Sequence, residues 1–230
     1  MTGTFINVGA VLAGTAVGLV VGGRLPESAR QRVLAGLGLI TLVVGVDLAL
    51  AWRDTDPLYV LGGVLLGGLA GEAIGIEDRL ARLGDRIQTA VSRHEHSRVS
   101  EAFVTASLLF CVGPLTVVGA IQDGLTGDYD ALATKSMLDG FASIALTATL
   151  GWGVALAAGT VLVVQGGLSL GAGAFEDVLE GEALHALTSA GGVLIIGISL
   201  KLLELKDVKV GNFLPALVIA PGLVGLASLF

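Results

Sequence analysis

FINVGAVLAGTAVGLVVG, residues 5–22, runs without a single charge. As a helix it rises about 27 Å, close to the ~30 Å hydrocarbon core of a bilayer. It is too long for a strand and lacks the alternation of a membrane barrel. Further apolar runs follow at Val33–Trp52, Leu58–Ile76, Phe103–Ile121, Ser136–Leu150, Gly153–Leu170, Ala186–Leu203 and Phe213–Leu229. Hydrophobic residues make up 53% of the chain and charged ones 14%, and the mean hydropathy is +0.86. Soluble domains carry about 25% charged residues, so a water-facing surface cannot be built from this composition. The sequence therefore predicts an all-α, polytopic transmembrane helical bundle, a single membrane domain over 1–230.

No basic residue precedes Phe5–Gly22, and Arg24, Arg30 and Arg32 follow it, the reverse of a cleavable signal. This run reads as a first span with its N-terminus outside. Residues 136–170 read either as one long helix, giving seven spans, or as two that turn at Gly151-Trp152-Gly153, giving about eight. Charge favours eight. One side then collects Arg24, Arg30 and Arg32, the five arginines from Arg79 to Arg98, and Lys201, Lys206 and Lys209. The other collects Arg53 beside Asp54 and Asp56, the 123–135 loop, and Glu176, Asp177, Glu180 and Glu182. That is a positive-inside pattern. It puts loops 24–32, 77–100 and 201–211 in the cytoplasm and both termini outside a bacterial inner membrane.

Two stretches repeat in order. AGTAVGLVVGG from Ala13 resembles AGTVLVVQGG from Ala158, and LVVGVDLAL at Leu42–Leu50 resembles LIIGISLKL at Leu194–Leu202. Repeat halves 1–76 and 153–230 would flank an amphipathic connector, 77–100, and a central helical hairpin, 101–150. With eight spans the halves run in opposite directions, the 3+3 inverted repeat of many secondary transporters. In the connector, Leu80, Leu83, Ile87 and Val91 recur at helical spacing among charges, as in a helix lying on the membrane or a solvated linker. His94 and His96 make a poor metal site by themselves.

Polar groups within apolar spans are costly and mark candidate sites. They concentrate in CVGPLTVVGAIQDGLTGDYDALATKSMLDGF, residues 111–141. Gly113-Pro114 breaks the fourth span and frees a carbonyl beside Thr116. Gln122 and Asp123 close that span, and Lys135, Ser136 and Asp139 open the next. Lys135 and Asp139, four apart, share a helix face. End-capping or snorkelling is the favoured reading of the two, with pairing as the alternative. Asp47 in the second span, Gln165 in the sixth, and Asn7 and Thr15 in the first complete the candidate path. Glu72, Lys201 and Glu204 read as interfacial anchors. Gly14, Gly18 and Gly22, and Gly63, Gly67 and Gly71, form small-residue faces for helix packing, favoured within the subunit over a homo-oligomer contact.

The stretches CVGPLTVVGAIQDGLTGD and KSMLDGFASIAL resemble the YqgA/YdfK family of bacterial inner-membrane proteins, as do GTFINVGAVLAGTAVGLVVGGRLP and Gln165-Gly166. The resemblance covers nearly the whole chain. It implies a bacterial membrane protein of a domain family without assigned function (domain of unknown function 554), often described only as a possible transporter, and supplies no substrate. The expected function is a secondary transporter or channel for a small solute or ion. Alternatives are a membrane-embedded enzyme on a lipid-linked substrate, using Asp123, Asp128 and Asp130, or a non-catalytic partner or sensor acting through 77–100. Phosphate-loop, HExxH and GxSxG motifs are absent. The expected partners are the lipid bilayer and the solute, with no nucleic acid, no metal, no cofactor and no enzymatic activity.

Overall fold

The computed structural model describes residues 1–91, 98–174 and 181–228. His94, His96, Glu176, Asp177 and Glu180 lie outside them. The described residues form ten helices and no strand: α1 Thr2–Gly22, α2 Glu27–Ala49, α3 Pro57–Ile74, α4 Ile76–Val91, α5 Val99–Cys111, α6 Pro114–Leu125, α7 Asp130–Leu150, α8 Val154–Leu170, α9 Gly181–Leu202 and α10 Ala216–Ala227. Single 3-10 turns at Leu50–Asp54, Ala172–Ala174 and Val210–Phe213 follow α2, follow α8 and precede α10.

The surface is inverted relative to a soluble protein. Ile40, Val43, Leu58, Leu69, Phe141, Val163 and Val218 are all more than 60% exposed, while Asn7, Ser143, Gln165 and Ser199 are fully buried. Apolar side chains facing outward from packed helices require hydrocarbon around them.

Each sequence-predicted run falls on helix, with Phe103–Ile121 divided between α5 and α6, but not every helix is a clear span. Five stretches are long and apolar enough to cross a membrane: Thr2–Gly22, Glu27–Asp54, Pro57–Ile74, Gly181–Leu202 and Val210–Ala227. A sixth arises if α5 and α6, bent by 61° at Gly113-Pro114, make one broken span. Of the eight expected spans, α7 and α8 fall short by length and apolarity alone. Helix α7 carries Asp130, Lys135 and Asp139 in its first half, which lowers its apolarity, and α8 has only 17 residues. Residues 136–170 do divide in two: α7 stops at Leu150, and Gly151 takes φ 95°, a value suited to glycine.

Small residues set the packing. Helix α1 lies parallel to α7 along Gly14, Gly18 and Gly22, which meet Gly140, Ile144 and Ala148. A Cβ at Gly18 would fall 2.7 Å from the Ile144 carbonyl oxygen. Helices α3 and α10 run antiparallel, with Gly63, Gly67 and Gly71 against Ala220, Ala216 and Asn212. Helices α2 and α9 are also antiparallel, joined where Gly38 meets Leu203, Gly45 meets Ile196 and Gly192 meets Ala49. Both predicted glycine faces are thus used within the subunit.

Local chemistry fixes the ends of α3. The Asp56 side chain accepts the Leu58 N–H at 2.8 Å, Pro57 occupies the first turn, and Gly75 ends the helix in the left-handed region at φ 69°. The chain then enters α4, whose Leu80 and Ala81 pack onto the core. The Ser100 hydroxyl donates to the Ala81 carbonyl at 3.0 Å, holding α4 to α5. The connector is therefore docked on the bundle through α4, although Leu83 is exposed.

Candidate functional site

Near one end of the bundle, α1, α7 and α8 bring four polar side chains together. Asn7 Nδ2 donates to Asp139 Oδ2 at 2.9 Å and to Gln165 Oε1 at 2.9 Å. The Lys135 ammonium forms an ion pair with the same Asp139 oxygen. Asn7 and Gln165 are fully buried, Lys135 is 6% exposed and Asp139 7%. The pair also settles the amide orientations. A carboxylate at Asp139 demands the NH₂ of Asn7, and that NH₂ in turn demands the carbonyl of Gln165. The Gln165 amide nitrogen is thereby turned away, and among the described residues neither it nor Asn7 Oδ1 has a partner. Thr4 Oγ1 on α1 and Ser169 Oγ on α8, one turn from Asn7 and Gln165, are likewise buried and unpartnered. So are Thr15 Oγ1, Ser143 Oγ and Thr147 Oγ1, which continue along the α1–α7 seam.

The sequence expectation for Lys135 and Asp139 is corrected here. Helix α7 begins at Asp130, so the two lie in its second and third turns and pair instead of capping its end. Asp123 is also buried, at 4% exposure. It accepts from the Met1 ammonium at 2.8 Å and from the Gly3 N–H at 3.1 Å, capping α1 from the neighbouring α6. Ser136 turns its hydroxyl onto the Leu132 carbonyl of its own helix at 2.6 Å.

Three expected path elements lie elsewhere. Asp47 and Gln122 are exposed. Helix α2 buries Leu34, Gly38, Thr41 and Gly45, and Asp47 is off that stripe. Gln122 sits a third of a turn away from the inward-facing Asp123. The break at Gly113-Pro114 is real, but the Thr116 hydroxyl donates to the Phe110 carbonyl at 3.0 Å. That hydroxyl takes one of the two lone pairs of the carbonyl that Pro114 leaves without its helical N–H. In the acidic loop, Asp128 Oδ1 accepts the Asp130 N–H at 3.1 Å, and both residues are exposed. Among the described residues no three His, Cys, Asp or Glu side chains group as a metal site.

A second polar junction, not legible in the sequence, forms around Glu77. Glu77, 7% exposed, accepts the Gly211 N–H at 2.8 Å and the Lys201 ammonium at 3.2 Å. Its own N–H donates to Asn212 Oδ1 at 2.9 Å, and Asn212 Nδ2 donates to Glu72 Oε2. Lys201 also reaches Asp207 at 3.3 Å. Of the expected anchors, Glu72 and Lys201 thus tie α3, α4, α9 and the 3-10 turn before α10 together, and Glu204 is exposed. Outside the spans, Lys209 pairs with Asp78 at 2.9 Å, and that hydrogen bond raises its pKa above the ordinary lysine value.

A cavity of about 720 Å³ lies beside α5, α6, α8 and α10, lined by residues such as Leu108, Cys111, Val164, Leu217 and Pro221. In its wall the Ser107 and Thr160 hydroxyls share one hydrogen bond of 2.9 Å. Such apolar walls offer little to an ion, so the chemistry concentrates at Asn7, Lys135, Asp139 and Gln165.

The family described as "Protein of unknown function (DUF554)" matches residues 2–225. The chain belongs to the DUF554 family. It is 31% identical over 233 residues to the "Uncharacterized membrane protein YdfK" of Bacillus subtilis (strain 168), covering 100% of this chain and 98% of that protein. It is 30% identical over 222 residues to the "Uncharacterized protein YqgA" of Escherichia coli (strain K12), covering 95% of this chain and 94% of that protein. No solved structure matches the chain at a significant level. Membership spans essentially all ten helices, and this DUF554 chain is an all-α membrane protein.

Proposed function

We propose that this protein carries a small solute or ion across a bacterial inner membrane, as a secondary transporter or channel. One observation carries the reading: a lysine–aspartate pair buried inside a membrane bundle, ringed by polar atoms from three helices that lack partners. A structural polar contact is expected to satisfy its members, because unpaired polar groups in hydrocarbon are costly. A site that must exchange partners with a passing solute leaves some of them open. Asn7 lies only about 8 Å along α1 from its first residue, so the cluster would sit at an entrance, with Thr15, Ser143 and Thr147 leading deeper.

The packing supports a 3+3 inverted repeat. The counterpart helices α1 and α8, α2 and α9, and α3 and α10 contact one another pair by pair, and a short 3-10 turn precedes both α3 and α10. In the proposed topology both termini are outside, and loops 24–32, 77–100 and 201–211 are cytoplasmic. Parallel packing of α1 on α7 agrees with both entering from the outer face.

Purified protein in proteoliposomes, assayed across a panel of radiolabelled solutes and ions, tests the function. Protein-dependent flux of at least one solute, lost in Asp139→Asn, is expected. Absence of flux for every solute, or full flux in the variant, would overturn the reading.

A further inference from the structure

The groups left open at the cluster are mainly donors. With Asn7 fixed by Asp139 and Gln165 fixed by Asn7, both N–H bonds of the fully buried Gln165 amide find no acceptor among the described residues. Thr4 and Ser169 each add a buried hydroxyl free to donate. A lysine ammonium carries three donors, and the Asp139 carboxylate takes one of those of Lys135. Apart from the carboxylate and the lone pairs of those two hydroxyls, the open acceptor is Asn7 Oδ1. A ligand that completes this set brings acceptors.

Charge sets the second condition. The Lys135–Asp139 pair is neutral, and burying an uncompensated charge in its place is prohibitive. An anion arriving alone would leave the site negative. An anion arriving with one proton does not. The proton joins the Asp139 carboxylate as an O–H bond, the ion pair opens, and the Lys135 ammonium faces the anion. Site and cargo are neutral before and after. The other ionisable groups around the pair do not disturb this balance. Asp123 on α6 is held by the Met1 ammonium. The Cys111 thiol of α5 lies within electrostatic reach of both partners and is an ordinary weak donor. From α8 and α1 come the uncharged Gln165, Asn7 and Thr4. On α2, which also touches α7, Asp47 is exposed.

We infer that Lys135, Gln165, Ser169 and Thr4 form a binding site for a small monovalent anion of halide or nitrate size, taken up together with a proton on Asp139. This rests on the transport reading above and names its cargo class. A cation at Asp139 would instead have to expel a proton from Lys135, and it would leave the Gln165 donors unanswered.

The test uses the detergent-purified full chain and measures Tm between pH 5 and pH 8 in sodium chloride, choline chloride, sodium nitrate and sodium gluconate at equal ionic strength. Chloride or nitrate is expected to raise Tm by about 3 °C or more near tenfold saturation, whichever cation accompanies it. Its apparent affinity is expected to tighten by up to tenfold per pH unit lowered, because one proton is bound with it. Gln165→Glu should abolish the shift. Asp139→Asn, which imitates the protonated carboxyl, should retain it and remove its pH dependence. If either variant fails to fold, the salt and pH series on the wild type decides alone. Stabilisation by sodium gluconate alone would establish a cation site and overturn the inference. So would no shift with any anion even at pH 5, a shift independent of pH in the wild type, or full chloride response in Gln165→Glu. Flux of some other solute without any anion response would sink the inference and leave the transport reading standing.

Discussion

Asn7 and Asp139, 132 residues apart in the chain, are joined by a 2.9 Å hydrogen bond inside the bundle. The bond is possible because Gly14 and Gly18, further along the same face of α1, let that helix lie directly on α7. Small residues bring the backbones together, and Asn7, two turns before Gly14, then meets Asp139, which adjoins Gly140.

The Asn7→Leu variant removes the donor to both Asp139 and Gln165. Each buried acceptor left unpaired costs about 1–3 kcal/mol in general, and hydrogen bonds within membranes often contribute less than this. A destabilisation of about 1–2 kcal/mol is expected, read as a fall in the detergent Tm. Wild-type Tm in Asn7→Leu would mean that the contact contributes nothing.

Helix contact through glycine makes a sharper forecast. Gly18→Val is expected to lose about 1–3 kcal/mol by overpacking, because its Cβ meets the Ile144 carbonyl and the Thr147 Cβ at 2.7 Å. Gly9→Ala lies on the same helix with nothing within 4 Å of the added Cβ and is expected to fold normally. Equal yields and equal Tm values for the two would contradict the parallel α1–α7 packing.

Glu77 holds α4 to the 3-10 turn before α10 through Gly211 and Lys201. Glu77→Ala leaves Lys201 with Asp207 as its remaining carboxylate partner and the Gly211 N–H without an acceptor. The cost is expected to be about 1–3 kcal/mol, below that of breaking a fully buried ion pair, since Lys201 is partly exposed. Hydrogen exchange should speed up selectively over residues 208–214. Uniform loosening of the whole chain would argue against a local latch.

The proposed topology is checked with single cysteines in a Cys111→Ser background, labelled in intact cells. Asp128→Cys is expected to react with an impermeant thiol reagent, and Arg82→Cys only after permeabilisation. The reverse pattern would invert the assignment of sides.

The helices were legible because apolar runs of this length admit almost no other structure. Asp139, Asn7 and Gln165 stood out because polar groups in such runs are rare. What the sequence withheld was direction. Asp47 is as polar and as deep in its run as Asp139, but it falls off the Leu34–Gly38–Thr41–Gly45 stripe and faces outward. Gln122 and Asp123 are neighbours on a helix and point different ways. The weakly apolar stretch from Asp130 to Thr134 hides the true start of α7, so the interior Lys135–Asp139 pair looks terminal. Thr4, Ser143, Thr147 and Ser169 carry no signal of their own, since threonine and serine are common in membrane helices. Spacing offered one clue, as Asp139, Ser143 and Thr147 recur every four residues. Glu77 and Asn212 are joined only by the tertiary fold.

The central claim is that the cluster is a path for solute and not inert internal glue. Its most direct test is Gln165→Cys in the Cys111→Ser background, reconstituted in sealed vesicles and exposed to a small water-soluble thiol reagent. Modification from the aqueous phase, slowed when a transported solute is present, is the predicted result. A Gln165→Cys that stays inert from both sides, while Asp128→Cys in the same vesicles reacts fully, would contradict it.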